Sequence, residues 1–184
     1  MHRYVHVFFG EPSSYRGRSA KDPKAAAFVR SRGDAYIVQK QYTLALQDYQ
    51  RAYSLLKPAL PLAAASVVVK IARCHLHVGS HAPALAAVRE ALAVIPGDAD
   101  ALRLKKRAVA IEDGVEAYRN ASARRQWKAA QTAFEACRKA YQDEGAAVPV
   151  GIRCWEVEAA VAEGRWAGAL EASACVPTCT SCSG

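Results

Sequence analysis

The chain has 184 residues, a formal charge of +8 and six cysteines, with only 11 glycines and 8% aromatic residues. That length supports one or two domains with a packed core, and frequent alanine suits closely stacked helices better than a sheet. No apolar run reaches the roughly 18 residues of a bilayer-spanning helix; the stretch 59–69 is apolar, and Lys70 ends it.

The basic excess sits at the front. Residues 1–32 carry Arg3, Arg16, Arg18, Lys21, Lys24, Arg30 and Arg32 against Glu11 and Asp22, which leaves +5 there. Residues 1–10 lack a small-residue cleavage pattern, so no secretory signal is expected. Proline, serine and glycine among these charges mark residues 1–22 as a disordered, solvated leader rather than a nucleic-acid arm.

A helical pattern begins near Ala26. Counting from it, Gly33 is the eighth residue, Tyr36 the eleventh, Tyr42 the seventeenth, Ala45 the twentieth, Tyr49 the twenty-fourth and Ala52 the twenty-seventh. Glycine and alanine at these places let two helices approach closely, and the tyrosines fill the space between. The spacing predicts helices over 23–39 and 43–56, with Thr43 as N-cap or first-turn residue. Pro58 and Pro61 then punctuate the chain.

The clearest unit follows. Counted from Ala65, Ala72 is eighth, Ala84 twentieth, Ala91 twenty-seventh and Pro96 thirty-second. These are the small-residue and terminal-proline places of the 34-residue tetratricopeptide (TPR) repeat. Helices are predicted over 62–78 and 82–94, with Pro83 in a first turn, where its missing N–H costs nothing. Ala45 and Ala84 lie 39 residues apart. Five extra residues near 57–62 therefore form a longer loop or an extended helix start.

A third unit places Trp127, Ala130, Phe134 and Cys137 at positions seventeen, twenty, twenty-four and twenty-seven. Its first helix reaches back over 101–122, and Leu102, Lys105, Lys106 and Arg107 suggest that this helix projects. A partial fourth unit follows, with Trp155, Val157 and Ala160 on one helix and Gly164, Trp166 and Ala169 at the turn and the next. The whole is an all-α, TPR-type right-handed superhelix of antiparallel helix pairs over 23–176. Its repeats lie near 26–59, 65–98, 111–144 and 150–176, and a disordered tail covers 177–184. An array normally closes on a capping helix; this one stops mid-repeat, which suggests a truncated chain.

The segment 26–172 resembles the TPR region of J-protein co-chaperones that carry TPR repeats before a C-terminal J domain, closest to fungal members of the DnaJ subfamily C, member-seven type. Three stretches carry the resemblance: Gly33-Asp34-Ala35-Tyr36 with Tyr42 and Ala45-Leu46; Ile71-Ala72-Arg73-Cys74 with Gly79 and Pro83-Ala84-Leu85; and Arg153-Cys154-Trp155 with Gly164-Arg165-Trp166. No His-Pro-Asp tripeptide occurs, so stimulation of an Hsp70 ATPase is not assigned. The resemblance implies a co-chaperone module without catalytic activity, binding an extended peptide, such as the C-terminal tail of Hsp70 or Hsp90, in a concave groove. The alternative is a TPR scaffold subunit unrelated to chaperones.

Inner-surface positions of such arrays select Arg30, Asp34, Lys70, Arg73, His77 and Arg119 as groove residues. Arg30, Lys70, Arg73 and His77 form a cationic patch suited to acidic peptides, because carboxylates gain most from charged donors. Arg30 fits the first lysine of a carboxylate clamp. Asp34, Lys70, Glu112 and Glu116 depart from the rest of that clamp.

Cys74, Cys137 and Cys154 fall inside helical patterns, as small buried hydrophobes do. Cys175, Cys179 and Cys182 have the spacing of an iron–sulfur motif but read as incidental tail cysteines. No cofactor or metal is expected, no membrane association, and a cytoplasmic or nuclear location.

Overall fold

The computed structural model describes residues 23–58 and 60–174; the expected leader and tail lie outside them. Among the described residues, eight α-helices and no strand make up the fold. They are α1 Pro23–Val38, α2 Tyr42–Leu56, α3 Pro61–His77, α4 His81–Val94, α5 Ala99–Ala123, α6 Trp127–Asp143, α7 Val150–Ala162 and α8 Trp166–Ala174. Each helix packs on the next in the chain, and α3 also touches α5. Helix bounds follow the sequence pattern to within two residues. Thr43 is the second residue of α2, and Pro83 lies in the first turn of α4.

One turn design closes the first helix of every pair, and it recurs at the end of α6, where Gly145 has φ 70° and the Ala146 amide reaches the Tyr141 carbonyl. Lys40, Gly79, Arg125 and Gly164 hold φ of 58°, 87°, 56° and 71° between the helices of each pair. The next amide then reaches back five residues: Gln41 to Tyr36, Ser80 to His75, Gln126 to Ala121 and Arg165 to Ala160, at 2.8–2.9 Å. This is the Schellman closure, which satisfies carbonyls that the helix end leaves open. Ala45, Ala84, Ala130 and Ala169 then donate to the carbonyls of Gln41, Ser80, Gln126 and Arg165, which starts the following helix.

Those four alanines are also where the helices of a pair meet. Ala45, Ala84 and Ala130 are 0% exposed, as are Ala52 and Cys137 one turn-pair further on. At Gly33 an added Cβ would come within 2.8 Å of the Tyr49 ring, so only glycine admits that close approach. Helix α3 is apolar almost all round because it serves two cores. Val67, Ile71 and Cys74 face the first helix pair, while Val68, Ala72 and Leu76 belong to the larger core that runs to α7. Burial of Leu76, Leu104 or Ile111 contributes about 1.5–3 kcal/mol each.

The extra residues between repeats lengthen helices. Helix α3 begins at Pro61, ahead of Ala65, which is the extended-start option. Helix α5 begins at Ala99, well ahead of Ile111, and is 25 residues long. Asp98 caps it, accepting the Ala101 amide at 2.8 Å. Its first half does not project, contrary to the sequence expectation. Ala101, Leu104 and Ala108 are buried in the same core as Leu85 and Val88 of α4, and only the face with Leu102, Lys105 and Lys106 is exposed.

Candidate functional site

Three of the first helices of the pairs, α1, α3 and α5, carry all six groove residues named from sequence. Asp34 on α1 and Lys70 on α3 meet directly: Lys70 Nζ donates to Asp34 Oδ1 at 2.5 Å, and Tyr49 OH donates to the same oxygen at 2.6 Å. Lys70 Nζ also lies 5.5 Å from the centre of the Tyr49 ring. Partial burial pushes the Asp34 carboxyl upward. The Lys70 and Tyr49 hydrogen bonds, with the charges of Lys70 and Arg30, outweigh that and hold it below the usual carboxylate range. Burial and the adjacent carboxylate push the Tyr49 phenol the other way, well above its ordinary value. Arg30 is half-buried one turn before Asp34 on α1.

Arg73, one turn beyond Lys70 on α3, has a different partner. Its Nε donates to Glu144 Oε1 at 2.8 Å, and Arg107 of α5 donates to the other oxygen of the same carboxylate. The Glu144 side chain is 5% exposed, against 42% for Arg73 and 31% for Arg107. Glu144 stands at the C-terminal end of α6. A carboxylate is disfavoured there by the helix dipole, and the two guanidinium groups compensate. The connector after α6 settles onto the turn after α3: a Cβ added at Gly79 would meet Pro149 Cγ at 2.8 Å. The long α5 therefore sets the end of α6 level with the end of α3. The ring of His77 stacks on Tyr42, centroids 4.1 Å apart and planes 8° apart. Burial lowers the His77 pKa, Glu144 opposes this and Arg73 adds to it, so the imidazole is neutral at pH 7.

The far half of the face is built on Tyr118 and Trp155, stacked at 4.0 Å with 7° between planes. Tyr118 OH donates to Glu158 Oε2 at 2.7 Å. Arg119 is exposed on α5, roughly 18 Å along the helix axis from Arg107. Glu112 and Glu116 are exposed on the same helix.

The structure thus brings Arg30, Asp34, Lys70, Arg73 and His77 onto neighbouring turns of α1 and α3 and leaves Arg119 apart. The expected cationic patch is largely neutralised from within, because Lys70 engages Asp34, Arg73 engages Glu144, and His77 carries no charge. Sequence reasoning missed Glu144 and the inward role of Arg107. An acid followed by glycine marks a helix end, but nothing in the repeat pattern says what that acid reaches.

The thiols of Cys74 and Cys137 are each pushed to about 11, primarily by burial, with a 3.6 Å contact from Cys137 Sγ to the Ile111 carbonyl. At neutral pH they are protonated packing groups. Among the described residues no cluster of three or more His, Cys, Asp or Glu side chains is arranged to hold a metal ion. Cys175, Cys179 and Cys182 lie outside the described residues. No described helix is long and apolar enough to cross a membrane. No family model, curated protein or solved structure matches the chain.

Proposed function

We propose that the chain is a TPR-type protein-interaction module, acting by binding rather than catalysis, whose face of first helices takes an extended peptide. The observation that carries this reading is the repetition of one turn and one buried alanine position through four helix pairs. Helical-repeat proteins take their ligands on the surface that stacked repeats create, and the Asp34–Lys70 and Tyr118–Trp155 contacts, which join α1 to α3 and α5 to α7, support such a face here. Arg30, together with the Arg73 and Arg107 guanidinium groups that share the one carboxylate of Glu144, supports an acidic segment as the ligand. Taken with the resemblance to J-protein co-chaperones, it makes the C-terminal tails of Hsp70 and Hsp90 the first peptides to test, in a cytoplasmic or nuclear setting.

A fluorescence-anisotropy titration with labelled peptides matching those tails tests the proposal. Saturable binding that weakens in Arg30→Ala is expected. Binding to neither peptide overturns the chaperone link. The second reading, a scaffold repeat holding a folded subunit, is favoured by the internal pairing of Lys70 and Arg73 with carboxylates. Recovery of one stoichiometric complex lacking chaperones in an unbiased pull-down selects it.

A further inference from the structure

The geometry points to the Arg73–Glu144–Arg107 cluster as a seat for a carboxylate side chain of an acidic peptide, with Glu144 as its positioning residue. This rests on the groove-binding reading above and names the anchor within that groove. One carboxylate serves two guanidinium groups from different helices, so the cluster keeps a surplus of one positive charge. Arg73 is engaged through Nε and Arg107 through one terminal nitrogen. Each guanidinium has five N–H donors. With Glu144 nearly buried and the two arginines 42% and 31% exposed, the unused donors open to solvent.

Two forks held side by side are preorganised. An incoming carboxylate then forms charge-assisted bonds without first ordering two long side chains. The surroundings favour this place over the neighbouring cations. Lys70 is spent on Asp34, and His77 is neutral and stacked on Tyr42. Asp100, which feels the charge of Arg73, is itself bonded to Arg103. A single surplus charge matches a monoanionic carboxylate. A phosphate dianion would leave one negative charge uncompensated beside Glu144.

The test is a titration of the whole chain with acetylated, amidated hexaglutamate, followed by NMR at the arginine Nε–Hε signals, with inorganic phosphate as the second probe. Saturable shifts are expected at Arg73 and Arg107 and none at Arg51 on α2. Hexaglutamate should bind at least tenfold more tightly than phosphate. Arg107→Lys, which keeps the charge and loses the fork, should weaken hexaglutamate at least tenfold. Glu144→Gln should narrow the preference over phosphate, because the surplus charge rises to two; loss of affinity without that change would make Glu144 only a structural support. Absence of saturable shifts at the two arginines, equal shifts at Arg51, or phosphate binding as tightly as hexaglutamate overturns the proposal. The wild-type titration decides the matter even where a variant fails to fold. Hexaglutamate shifting other groove residues alone would sink the seat and leave the groove reading standing.

Discussion

Gly114 offers the sharpest test of the packing. It is buried in the middle of α5, where glycine costs about 1 kcal/mol relative to alanine. On propensity alone Gly114→Ala should stabilise the chain. The structure says otherwise: an added Cβ would run into Cys137 Sγ on α6 and lie 3.4 Å from the Ala133 carbonyl oxygen. Cys137 is 0% exposed and cannot swing aside. Overpacking of this kind costs about 1–3 kcal/mol, and here one helix would also have to move off the other, which places the strain near the upper end. Subtracting the propensity gain leaves a net destabilisation of about 1–2 kcal/mol. Cys137→Ala alone should cost about 1–2 kcal/mol as a large-to-small change. The double variant places the new methyl where the sulfur was and should regain near-wild-type stability, a coupling of about 2 kcal/mol or more. Urea denaturation followed by circular dichroism measures all four corners of the cycle. Additivity within about 0.5 kcal/mol, or a stabilising single Gly114→Ala, would refute the α5–α6 crossing described above.

Lys40 and Arg125 hold left-handed φ without being glycine, so Lys40→Gly and Arg125→Gly should each raise stability by about 0.5–1 kcal/mol in thermal or urea melts; a loss would contradict the turn geometry. The Tyr141 hydroxyl is buried without a hydrogen-bond partner, with the phenol pushed up to about 12, mainly by burial, so Tyr141→Phe should stabilise by about 1 kcal/mol. Asp34 has a folded pKa below its ordinary 3.8. Its contribution is therefore fully present above that value and is lost as pH falls through the folded pKa. The stability gap between wild type and Asp34→Asn should be open at pH 6 and close in that acid range; a gap that widens on acidification contradicts the Lys70 and Tyr49 bonds.

The array was legible in sequence because its constraints are local and repeated. A glycine or alanine is demanded wherever two helices touch, so Gly33, Ala45, Ala84 and Ala130 report the helix pairs without reference to anything distant. Tyr49 is legible for the same reason, since it fills the gap left by Gly33 in its own pair. The charge state of the face was not legible, because its decisive contacts join distant parts of the chain. Arg73 and Glu144 are 71 residues apart, and they meet only because α5 begins well ahead of its repeat and carries α6 to the level of the end of α3. Leu102, Lys105, Lys106 and Arg107 suggest a projecting helix in the sequence. The first three are exposed, while Arg107 turns toward Glu144 and Leu104 and Ala108 beside them are buried.

A hydrogen-exchange footprint of the chain with saturating Hsp70-tail or Hsp90-tail peptide shows whether the first helices of the pairs form the proposed binding face. Exchange should slow in α1, α3 and α5 and stay unchanged in α2, α4 and α6. Protection confined to α2, α4 and α6, or no protection with either peptide, would contradict it.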